Sequence, residues 1–167
     1  MYACPLIGPP GPQGPQGPPG SSVAGIADML TTNEYAPQPS YAGGALSFYT
    51  NSLSVGDAIT HATPGSDEVI QTPGLYLVTF HGTVGLSSSS PAPAESVTYL
   101  TQNGEMVPGA LVQTRLEQSG TYQSVSFAVP IQVTSVPTTL QVVSQDAGIL
   151  YSNVSMSVVR LGNNPTA

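Results

Sequence analysis

Two histidines, one cysteine and nine carboxylates are the groups in this sequence best suited to proton transfer, thiolate attack or metal binding. His61 stands in a loop just before Pro64-Gly65, and His81 alternates with Phe80 along a strand-like run, which turns it to solvent or to a neighbouring sheet. Neither has a cysteine, a second histidine or an acid at metal-ligand spacing, so no metal and no cofactor are expected. Asp67-Glu68 and Glu95 have oxygens of the kind that Ca²⁺ takes in loops, although an ordinary solvated loop is the simpler reading. Cys4 is alone, which excludes an intrachain disulfide and leaves a link between chains or a free thiol near the terminus. Asn153-Val154-Ser155 fits an N-glycosylation acceptor but falls at the start of a predicted strand. No nucleophile, base and orienting group come together in the sequence, so the chain is expected not to be an enzyme.

Charge narrows the function classes further. Arg115 and Arg160 are the only cations, the formal net charge is −7, and only 7% of residues are charged. Neutralising phosphates takes several clustered Lys or Arg, so neither a nucleic-acid partner nor a polybasic membrane contact is expected. No apolar run approaches the ~20 residues of a membrane span. Residues 1–7 have no basic start and no proper hydrophobic stretch, so no signal peptide is evident. Arg115 and Glu117 share a strand face as an exposed pair of small energetic weight.

The elements that would position any site fall into two regimes. Glycine recurs at every third position in Gly8, Gly11, Gly14, Gly17 and Gly20, and Pro9, Pro12, Pro15 and Pro18 each follow a glycine. Proline holds the chain near polyproline II geometry, and three such chains wind together only where the residue on the axis has no side chain. A collagen-like stalk over residues 8–22 is therefore predicted, with residues 1–7 as an N-terminal tail. At the ~3.1 Å rise of that conformation its reach is on the order of 40 Å, too short to be stable alone. A head must hold the three chains in register.

Residues 23–44 are read as a neck. Pro37, Pro39 and Gly43-Gly44 argue against regular structure there, apart from a short helical turn around Ile26 to Leu30. From residue 45 to 163 the period changes to two. Leu75 to Val84 places Tyr76, Val78, Phe80 and Val84 on one face, and Val125 to Val133 does the same with Phe127, Val129 and Ile131. Further strands are predicted at Leu46–Thr50, Glu68–Thr72, Val97–Gln102, Leu111–Glu117, Thr139–Ser144 and Val154–Leu161. Asn103-Gly104 is a hairpin turn because both residues tolerate positive φ, and Pro73-Gly74 and Pro108-Gly109 are read as turns. Ser87 to Ala94 is a low-complexity connecting loop. With no long amphipathic helix the head is all-β, a two-sheet sandwich or jelly roll, followed by a short tail at 164–167. Tyr99 and Tyr122 are the expected contacts across a trimer axis.

The chain resembles the bacterial collagen-like glycoproteins of the spore exosporium, whose C-terminal heads are similar to the TNF-like jelly roll and to complement globular heads. The likeness is carried by the Gly-Pro-x run, by Gln71 to Phe80 (QTPGLYLVTF), by Asn103-Gly104 with Val107-Pro108-Gly109, and by Ser155 to Leu161 (SMSVVRL). It implies a homotrimer of jelly rolls with projecting stalks and a structural role on the spore surface, in contact with other coat proteins or glycans. Such coats assemble inside the mother cell, which fits the lack of a secretory signal. The third stalk positions here are Pro and Gln where that family has glycosylated threonines, so stalk glycosylation is not implied. A trimeric adhesin or phage fibre head that binds glycans or a host receptor is the alternative.

Overall fold

The computed structural model describes residues 28–165. The stalk glycines Gly8, Gly11, Gly14, Gly17 and Gly20, and Cys4, lie outside the described residues. Twelve strands occur among those described: β1 (Met29–Glu34), β2 (Gln38–Pro39), β3 (Gly44–Ala45), β4 (Thr50–Val55), β5 (Ile59–His61), β6 (Glu68–Ile70), β7 (Gly74–Leu86), β8 (Ala94–Gln102), β9 (Glu105–Leu116), β10 (Tyr122–Val133), β11 (Thr138–Ser144) and β12 (Ile149–Gly162). They form two antiparallel sheets. The first runs β10-β7-β12-β1-β4 with β2 beside β12, and the second runs β5-β6-β11-β8-β9 with β3 beside β11.

Period-two patterning decides which face of each strand is buried. Along β7 and β10 the inward residues Tyr76, Val78, Phe80, Phe127, Val129 and Ile131 are all buried, and the register sets Phe80 opposite Phe127. Their rings stack with centroids 5.2 Å apart, a geometry that adds about 0.5–1.5 kcal/mol to the burial itself. Leu100, Leu140 and Val142 of the second sheet complete the core, together with Leu30 of β1 and Met156 and Val158 of β12. Two buried polar ties cross between the sheets. Tyr151 of β12 brings its hydroxyl to Thr98 of β8 at 2.7 Å and to Ser144 of β11 at 3.1 Å. Thr32 of β1 meets Glu68 of β6.

Several expectations give way here. Residues 29–34, read as neck, are a central strand between β12 and β4, and no helical turn forms at Met29 or Leu30. The inward positions of β1 are Leu30 and Thr32; the second is polar because it faces a buried acid, which erases the apolar alternation. Leu46–Thr50 is not one strand: Leu46 and Phe48 plug into the core from irregular chain, and the strand proper starts at Thr50. β4 carries exposed residues nearly throughout, so no alternation marked it. His61 ends a short strand instead of lying in a loop. Pro108-Gly109 does not reverse the chain. It lies within β9, where Leu111 pairs with Tyr99 and Met106 with Thr101, and the surplus residues are accommodated as an irregularity with Gly109 at φ 83°. Asn103-Gly104 is the hairpin turn between β8 and β9, with φ of 53° and 84°.

Candidate functional site

The middle of the first sheet's outward face is built from three cross-strand rows and part of a fourth. Pro130, Leu77, Val159, Met29 and Val55 stand side by side across β10, β7, β12, β1 and β4. The next row is Ala128, Thr79, Ser157, Thr31 and Leu53, and the one after it is Ser126, His81, Ser155, Asn33 and Thr50. Ser124, Thr83 and Ser152 begin a fourth. No Asp, Glu, Lys or Arg stands in any of these rows, and His81 is their one titratable side chain.

Five of the nine hydroxyls in these rows are bonded within the face. Thr31 and Ser157 bond each other at 2.9 Å, Ser155 donates to the Thr32 carbonyl at 3.1 Å, and Thr83 donates to the Ser152 carbonyl at 2.8 Å. Covering such a face therefore costs little in broken hydrogen bonds. The second sheet is different. Glu95 and Arg115 stand opposite each other on its outer face, and Arg115 Nε also contacts Glu117 at 2.7 Å with both side chains largely exposed.

A bulge shapes one end of the first sheet's face. Between Ser152 and Ser155 the pairing of β12 with β7 shifts, and Asn153 takes φ 51°. Beside it Gly82 has no side chain, and a Cβ there would come within 2.8 Å of Val154 Cγ1. Next to the bulge opens a cleft of about 460 Å³ whose lining includes Asn33, Tyr35, His81, Ser126 and Asn153.

The remaining candidates are scattered. His61 Nε2 donates to the Gly65 carbonyl at 3.1 Å and Nδ1 lies 2.7 Å from Asn51 Oδ1, while the ring meets Phe48 edge-on. His81 is exposed, on the far side of its strand from buried Phe80. Asp67 accepts from Gln141 at 2.6 Å, and Glu95 from Gln113 at 2.9 Å. Among the described residues no group of three or more His, Cys, Asp and Glu side chains converges to hold a metal ion. Tyr99 is half-buried on β8 of the second sheet, whereas Tyr122 begins β10 of the first, so no single sheet presents both. Tyr122 is 56% exposed and its ring lies against Gly85.

Glu68 is the residue most misread from the sequence. Its place beside Asp67 suggests a solvated carboxylate at a strand start, yet it is fully buried, and burial pushes its carboxyl up to about 8, against a smaller opposing effect of the Thr32 hydrogen bond. Thr32 Oγ1 lies 2.5 Å from Glu68 Oε1, and Oε2 has no partner among the described residues. At neutral pH the group is chiefly a neutral acid, as a carboxyl sealed between two sheets must be. His61, its register partner on β5, turns instead to Asn51 and Gly65.

No family model and no curated protein matches this chain. Solved structures do. Murine APRIL at pH 5.0 superposes with a TM-score of 0.64 at 12% identity, over 81% of this chain and 99% of the other. The globular domain of zebrafish complement 1qA protein gives 0.61 at 11% identity, over 82% and 99%. Identities this low speak to fold alone, and the fold they show, two packed antiparallel sheets in the same arrangement, is the TNF-like and C1q-like jelly roll.

Proposed function

We propose that the chain is a non-catalytic structural protein whose jelly-roll heads assemble as a homotrimer through the outward face of the first sheet. The observation that carries this reading is the set of uncharged rows from Pro130–Leu77–Val159 to Ser126–His81–Ser155. Interface cores are depleted in charge, and a soluble chain of net charge −7 that keeps one broad face free of it has a face fit to be covered. The glycine period from Gly8 to Gly20 supports the same stoichiometry, because a collagen helix takes three chains.

Cell or spore exterior is the setting we infer, with the head presented at the end of a short stalk. The exosporium of a bacterial spore is the specific layer suggested by the sequence resemblance, with other coat proteins or surface glycans as neighbours. Solution molar mass of the chain with and without residues 1–20 tests where assembly resides. A threefold mass in both forms assigns it to the head; a monomeric truncated form removes the sheet face from the account.

A further inference from the structure

We propose that Glu68 makes the β5–β6 hairpin a pH-dependent flap, closed while the carboxyl is neutral and released from the second sheet once it ionises. The position of the residue carries the argument. Glu68 has no exposed surface, its Oε1 is bonded by the Thr32 hydroxyl, and its Oε2 has no partner among the described residues. A charge there would stand unpaired between two sheets, which a fold relieves by bringing the group to water. The groups around it supply no counter-charge. On β5 the register partner His61 turns to Asn51 and Gly65. Asp67, next in the chain, accepts from Ser66 and Gln141, and Glu34 at the end of β1 accepts from the Ala36 amide. β4 and β11 carry no ionisable side chain. Arg160 of β12 is paired with Asp28, Tyr151 of the same strand with Thr98 and Ser144, and Tyr76 of β7 with the Thr72 carbonyl. Burial, the larger influence, pushes the Glu68 carboxyl up to about 8, so the hairpin is closed at neutral pH.

The tie yields on the β6 side. β1 is a six-residue strand held by β12 on one side and β4 on the other, whereas β6 has three residues and only the three-residue β5 outside it. Three register pairs, from Thr138–Ile70 to Leu140–Glu68, join β6 to β11. Short connections flank the hairpin, with Gly56 at φ 75° before it and Gln71 to Pro73 after it. An edge element with so few partners is the part of a fold that opens on its own. Its release uncovers Ile59 and Ile70, both buried in the closed form, and bares the edge of β11 while the first sheet keeps its pairing.

Methyl NMR of the full chain, labelled at isoleucine Cδ1, tests this between pH 6 and pH 9.5. Ile59 and Ile70 report on the hairpin, and Ile131 of β10 and Ile149 of β12 report on the first sheet. With rising pH the Ile59 and Ile70 signals should move to the shifts of solvent-exposed isoleucine and return on acidification, with Ile131 and Ile149 unchanged. Glu68→Gln, neutral throughout, should keep all four at their native shifts at pH 9.5. Native Ile59 and Ile70 signals in the wild-type chain at pH 9.5 overturn the proposal, as does the simultaneous loss of all four, which is global unfolding. A folded Glu68→Gln variant that follows the wild-type titration overturns it as well; the wild-type pattern decides by itself where that variant does not fold.

Discussion

Thr32 and Glu68 join the two sheets through the core: the hydroxyl of β1 lies 2.5 Å from the carboxyl oxygen of β6, and Glu68 has no exposed surface. The same hydroxyl lies 3.5 Å from the Met156 carbonyl. Thr32 donates to Glu68 Oε1, and burial, which outweighs that bond, is what keeps the carboxyl protonated.

Stability should therefore fall as pH rises. The folded carboxyl holds its proton up to about 8 whereas the ordinary value is 4.5, so between these values the native state binds more protons than the unfolded chain. The contribution is complete below 4.5, declines through that window and is lost above 8, a difference on the order of 5 kcal/mol. Urea unfolding at pH 5 and pH 9 measures it. Glu68→Gln, neutral at every pH, should remove most of the slope; an unchanged slope in that variant would place its origin elsewhere.

Phe80→Ala should cost about 3–5 kcal/mol, because it empties a site between two strands that cannot close on the gap and removes the stack on Phe127. The midpoint of chemical denaturation reads this directly. A loss below about 1 kcal/mol would mean that the ring is not where the β7–β10 register puts it.

The Asn103-Gly104 hairpin makes a sharper local claim. Gly104 sits at φ 84° with open space around its Cα, so a valine there meets backbone strain and no clash. Gly104→Val should cost about 1–3 kcal/mol, seen as a lower melting temperature with an unchanged fold by circular dichroism.

Much of the head could be read from the chain, and the reasons differ by element. β7 and β10 alternate strictly because one face meets the core and the other is open, so Tyr76, Val78, Phe80, Phe127, Val129 and Ile131 announce their burial. β1 could not be read, since its inward Thr32 is satisfied by a glutamate from another sheet, and a buried polar pair looks like two surface residues in one dimension. β4 failed for the opposite reason: its exposed side chains carry no signal of pairing. The uncharged face was legible in part. A chain with eleven charged side chains spread over 167 residues must leave large areas uncharged, but which residues become neighbours is set by register. The cleft was hidden, because it lies beside a bulge at Asn153 that no residue pattern announces.

Charge placed on the face proposed to assemble should separate the copies without unfolding them. Leu77 is half-buried in the middle of the most apolar row, and Leu77→Glu should yield a folded monomer by size-exclusion chromatography with light scattering. Arg115→Glu, on the outer face of the second sheet, serves as the control and should leave the mass unchanged. The reverse pattern would move the interface to the other sheet.

Sedimentation equilibrium of the full chain at micromolar concentration is the most direct test of the proposed assembly. The account predicts a single species at three times the 17.0 kDa chain mass, persisting on dilution. A species at 17.0 kDa would contradict it, since the uncharged rows would then face water in the native molecule.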